Sequence, residues 1–156
     1  MDSKLYIHRA ENEIKLAEII FKISEKLDLQ EDMFKINEPE TYFSAVIAHC
    51  YYSIFYGAKA YLLEKDIEIS APEEHKKAFN EFKKFVQNGE LDVELLKIYQ
   101  SMLVKADTLL NIFELEKGKR GKFTYRRMPQ ANKEPAEKSI EHSKIFFKHV
   151  FAILQK

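Results

Sequence analysis

Eighteen consecutive residues, Thr41 to Ala58, carry no Asp, Glu, Lys or Arg in a chain that is 32% charged. A run of that length is where a membrane span first enters consideration. This one includes Tyr42, Ser44, His49, Tyr51, Tyr52, Ser53 and Tyr56, whose polar groups need partners that lipid does not supply. A helix enclosed by protein on most sides accounts for the run, and no membrane association is expected. Its apolar positions over about Glu40–Lys65 are Phe43, Val46, Ile47, Cys50, Ile54, Phe55, Ala58 and Leu62. Ala45, Ala48, Ser53, Gly57 and Ala60 lie between them and let neighbouring backbones come close. The spacing predicts a central helix with the other elements wrapped around it.

Those other elements are also helical in period. Apolar residues recur at Ile7, Ala10, Ile14, Ala17 and Phe21 over about Ser3–Leu27, followed by a polar stretch from Asp28 to Glu40. Ser70-Ala71-Pro72-Glu73 has the form of a capping box opening a third helix, which Asn88-Gly89 closes. A fourth begins near Asp92, carries Leu95, Leu96, Tyr99, Met102, Leu103 and Ala106, and ends before Gly118. The last, about Pro135–Leu154, shows Ala136, Ile140, Phe147, Val150 and Leu154 on one face. Phe146, Phe151 and Ile153 add apolar surface beyond what docking one helix requires, which suits a homodimer. Four glycines and four prolines are too few for the turns of an all-β fold. The expectation is one all-α domain over residues 1–156, an up-and-down bundle of about five helices.

Charge is distributed unevenly. The chain has 25 basic and 25 acidic residues, yet seven cations and no anion fall between Lys117 and Lys133. Everything outside that stretch is net acidic, 18 basic residues against 25 acidic, so a general basic bias does not explain the cluster. Lys117, Lys119, Arg120, Lys122, Arg126, Arg127 and Lys133 raise the local concentration of phosphates, while Phe123 and Tyr125 offer rings for base stacking. A solvated loop or a contact with an acidic protein would use the same charges.

Three patterns, in order, resemble the HEPN domains of prokaryotes. They are Tyr51-Tyr52-Ser53-Ile54-Phe55-Tyr56-Gly57-Ala58-Lys59-Ala60-Tyr61-Leu62-Leu63-Glu64-Lys65; His75 with Phe79, Phe82, Phe85-Val86 and Gly89-Glu90-Leu91-Asp92; and Arg120-Gly121-Lys122-Phe123-Thr124-Tyr125. They span about residues 45–150. The resemblance implies a HEPN-like bundle of four or five helices, frequently dimeric, with functions around nucleotides and RNA. Many members are metal-independent ribonucleases with an arginine, four to six residues and a histidine just before the last helix. Others sit in toxin–antitoxin pairs with small nucleotidyltransferases, so such an enzyme is a possible partner.

This chain departs from the nuclease pattern, because no histidine follows Arg120, Arg126 or Arg127 at that distance. Histidine can both take and give a proton near neutral pH, whereas tyrosine, with a pKa near 10, is a poor replacement. Binding survives the change more readily than catalysis. The expected site for phosphate or a nucleotide is therefore Arg120, Lys122, Tyr125, Arg126 and Arg127, with RNA or a nucleotide as ligand. A ribonuclease rebuilt around Tyr125, His75 or His142 is the enzymatic alternative, and a scaffold subunit without nucleic-acid affinity is the third.

His49 reads as a hydrogen-bonded core residue and His75 as a surface or cap residue, with a smaller chance of facing a cleft. His142 and His149, seven apart, share a helix face without metal-ligand spacing. No cofactor motif or glycine-rich phosphate loop is present. Cys50, the single cysteine, excludes an intramolecular disulfide, and with the polar start Met1-Asp2-Ser3-Lys4 it fits a cytoplasmic protein.

Overall fold

The computed structural model describes residues 2–110 and 133–156. Within them the chain forms six helices: α1 Ser3–Glu25, α2 Leu27–Phe34, α3 Phe43–Glu64, α4 Glu74–Gln87, α5 Val93–Leu110 and α6 Lys133–Leu154. The bundle is all-α, as the periodicity predicts. No helix among the described residues is long and apolar enough to cross a membrane.

Helix α3 is the central rod. Val46, Cys50, Ile54, Ala58 and Leu62 are fully buried, and Tyr51, Ser53, Gly57 and Ala60 are buried on other sides of the same helix. Gly57 allows a close approach: a Cβ there would lie 3.4 Å from the ring of the fully buried Phe146 on α6. Helix α1 packs antiparallel along α3 through Ala10, Ile14 and Ala17. The Ser3 hydroxyl at its start bonds the Glu64 carboxylate at the end of α3, while His49 near the start of α3 meets Glu13. Asp2 caps α1, its carboxylate accepting from the Leu5 amide at 3.0 Å.

Residues 65–73 return along the end of α3, with Ile67 and Ile69 packed inward, before α4 begins. In consequence α4 runs parallel to α3: His75 meets Phe55, and Phe82 and Phe85 meet Tyr61. Helix α4 starts later than the capping-box reading places it. Its N-cap is Glu73, in left-handed backbone (φ 57°) and without a side-chain cap. At the other end Gly89 takes φ 87°, where a side chain would be strained, and Leu91 bonds back to the Phe85 carbonyl at 3.1 Å. Helix α5 returns antiparallel, Phe82 facing Tyr99 at 5.4 Å between ring centres, and Phe146 closes the triad at 5.4 and 5.8 Å.

Helix α2 lies in the stretch read from the sequence as a polar connection. Eight residues, four of them apolar and three acidic, are too short a window to set a period by themselves. Gln30 holds this region in place. Fully buried, it donates to the Ile23 and Glu40 carbonyls at 2.9 and 2.7 Å and accepts from the Glu40 amide at 2.9 Å. The Tyr42 amide donates to the buried Ser24 hydroxyl at 2.8 Å beside it.

Candidate functional site

Tyr51, Tyr52, Phe55 and Tyr56 project from α3 toward α1 and α4, and the return through residues 65–73 delivers His75 onto them. The His75 ring stacks on Phe55 with 4.1 Å between centres, and its Nδ1 lies 2.8 Å from the Tyr51 hydroxyl. Burial pushes the His75 pKa down; Glu74 opposes that shift and Lys59 reinforces it. Burial also pushes the Tyr51 phenol far up, with Tyr99, Tyr52 and Asp107 adding to the effect. A phenol held protonated can donate into Nδ1, and the neutral imidazole then carries its own proton on Nε2.

Rings continue outward from this pair. Tyr52 stacks with Tyr56 at 6.4 Å, and Tyr56 stacks with Tyr6 of α1 at 6.2 Å. Arg9 places its guanidinium 5.6 Å from the centre of Tyr56. The buried Lys59 ammonium lies 4.7 Å from Tyr6, 5.2 Å from Phe55 and 3.8 Å from a Glu74 carboxylate oxygen. Half-exposed aromatic faces beside cations are suited to flat, electron-rich ligands such as nucleobases.

Lys133, the described end of the basic segment, lies at the opposite end of α1 from Tyr6. Helix α5 reaches Leu110 and α6 starts at Lys133, whose ammonium is 3.2 Å from Glu25 in the last turn of α1. Arg120, Lys122, Tyr125, Arg126 and Arg127, the residues expected to bind phosphate, lie outside the described residues, as does Phe123. Asp107 is buried in the last turn of α5, and its charge contributes to the upward shift of Tyr51.

The histidines fall into distinct settings. His75 belongs to a half-buried aromatic cluster rather than to a cap. Its pairing with Tyr51, 24 positions away, depends on the 65–73 return and leaves no local sequence signal. His49 sits at the α1–α3 seam, its Nδ1 2.5 Å from Glu13 and its side chain 28% exposed. His142 and His149 lie on α6, the first half-buried and the second exposed. Cys50 is fully buried, and burial pushes its thiol up to about 12. Among the described residues no three of His, Cys, Asp and Glu converge to hold a metal ion.

No family model matches the chain, and no solved structure matches it. It is similar to a protein of Methanocaldococcus jannaschii named "Putative toxin MJ0142", with 32% identity over 84 residues. The match covers 53% of this chain and 52% of that protein, so the chain spans about half the length of the curated relative it matches.

Proposed function

We propose that the chain is a HEPN-like RNA- or nucleotide-binding protein that works in a toxin–antitoxin setting. The observation that carries the reading is the concentration of seven cations and no anion in Lys117–Lys133 of an otherwise net acidic chain. The all-α bundle and the likeness to a protein named as a toxin support it. Phosphates are held by Arg120, Lys122, Arg126 and Arg127, and Tyr125 stacks on a base or donates a hydrogen bond. The lack of a histidine at the family's spacing favours binding over cleavage.

Fluorescence anisotropy with a short single-stranded RNA tests this. Four phosphate contacts give a log–log salt slope of about −3, so affinity falls roughly 50-fold between 50 and 200 mM salt. Arg120→Ala with Arg126→Ala removes two contacts and brings the slope to about half. No binding at low salt, or a slope unchanged in the double variant, overturns the reading.

A further inference from the structure

At the end of the bundle where α1 meets α2 and α3 there is a groove of 390 Å³ lined by Ile20, Ile23, Phe34, Ile36, Tyr42 and Ala45. Its surroundings are apolar as well: Ile19 is 56% exposed, Leu27 46%, Met33 67% and Phe34 52%. Large apolar side chains at such exposure, on the same two helices α1 and α2 that help line the groove, mark a surface that a partner covers. The groove is also preformed. The three hydrogen bonds of buried Gln30 tie residue 40 to α1 and α2, and the Tyr42 amide is tied to Ser24, so the wall is fixed before anything binds.

Charge around the groove selects the occupant. Asp28, Glu31, Asp32, Glu38 and Glu40 are exposed along residues 28–40, with Lys35 as the single cation in that stretch. Lys22 and Lys26 flank the α1 side without cancelling five acids. A second copy docked groove to groove about a two-fold axis sets these acids against their own kind, which opposes association. We infer that this groove receives an amphipathic helix of another polypeptide, with an apolar face for Ile20, Ile23 and Phe34 and a lysine- or arginine-rich edge for the acidic rim. The groove uses none of the residues proposed to hold phosphate, and the inference does not rest on the RNA reading.

The test uses the full chain and three fluorescent peptides of equal length: a Leu/Lys amphipathic helix, a Leu/Glu helix with the same apolar face, and a Ser/Lys peptide without one. The Leu/Lys peptide is expected to bind at least tenfold more tightly than either of the others. Phe34→Ser with Met33→Ser, both exposed positions, is expected to weaken it at least tenfold. Asp28→Lys with Glu31→Lys and Asp32→Lys is expected to reverse the preference toward the Leu/Glu peptide. Phe151→Ser, an exposed apolar change on α6, serves as the control and is expected to leave binding within twofold. Thermal melts by circular dichroism establish that each variant is folded.

Equal affinity for the Leu/Lys and Ser/Lys peptides overturns the inference, as does equal loss in the Phe151→Ser control. A dimer in sedimentation that Phe34→Ser dissociates also overturns it, since the groove is then a contact between copies. Loss of RNA binding in Arg120→Ala leaves the peptide result untouched, so the two readings fail separately.

Discussion

Replacing Gln30 by leucine keeps most of the side-chain volume and removes three hydrogen bonds, at 2.9, 2.7 and 2.9 Å. The three partners do not suffer equally. The Ile23 carbonyl keeps the Lys26 amide as a donor at 3.3 Å, whereas the Glu40 amide and carbonyl lose the partners seen here. A backbone group stranded in a sealed interior costs about 1–3 kcal/mol. Glu40 is exposed, so water replaces part of what Gln30 supplied and the cost sits at the lower end of that range for each group. The expected loss is about 2 kcal/mol in total. With a urea m-value of about 2 kcal/mol per molar, the unfolding midpoint moves down by about 1 M. Gln30→Glu is expected to be worse at pH 7, because a carboxylate then faces two carbonyl oxygens, and to recover partly at pH 5. Hydrogen exchange at the Glu40 amide reports the same event locally. A Gln30→Leu midpoint within 0.25 M of wild type (about 0.5 kcal/mol at that m-value) refutes the claim that this glutamine fixes the groove wall.

Because burial holds His75 below its ordinary value of 6.5, the unfolded chain takes up that proton before the folded one does. Its contribution to stability is full above 6.5 and declines as pH falls below it, so urea midpoints measured between pH 7.5 and 5.5 should fall less in His75→Phe than in wild type; parallel decline refutes the assignment. Cys50, fully buried and pushed up to about 12, should ignore a thiol reagent at pH 8 until urea unfolds the chain, and rapid native-state labelling counts against this packing. Phe82→Ala empties the centre of the Tyr99–Phe146 triad and should cost about 3–5 kcal/mol by urea unfolding.

The central helix was readable from sequence because its lack of charge has one physical remedy, enclosure, and α3 is enclosed. Helix ends with strong local chemistry were readable too: Asn88-Gly89 closes α4, and Asp92, whose carboxylate accepts from the Glu94 amide at 2.9 Å, opens α5. Ser70-Ala71-Pro72-Glu73 misled because a capping pattern states what a helix start can look like, not where the chain must still travel. Here residues 65–73 first run back along α3, and α4 starts at Glu74 where His75 can reach Phe55. Helix α2 was invisible for a related reason. Its order comes from Gln30, a polar residue that hydropathy assigns to solvent and that three backbone groups draw inside. The Tyr51–His75 pair and the apolar groove are juxtapositions made by tertiary path, whereas the expected phosphate site is purely local in sequence.

A neutral chain can mix its charges or separate them, and the two arrangements behave differently. Here seven cations are gathered in Lys117–Lys133 and five acids in residues 28–40, and the Lys133–Glu25 pair at 3.2 Å brings the last of the cations to the end of α1, just before the α2 helix that carries three of those acids. Exposed charges act over about 8–10 Å at physiological ionic strength, so the acidic rim repels any polyanion held at that end of the bundle. Neutralising the rim with Asp28→Asn, Glu31→Gln and Asp32→Asn should therefore abolish discrimination between the Leu/Lys and Leu/Glu peptides while RNA affinity stays the same or rises. A rise should vanish at 1 M salt, where the screening length is about 3 Å. A fall in RNA affinity on removing three negative charges contradicts simple electrostatics at this end. It would mean that these three acids support RNA binding through something other than their charge.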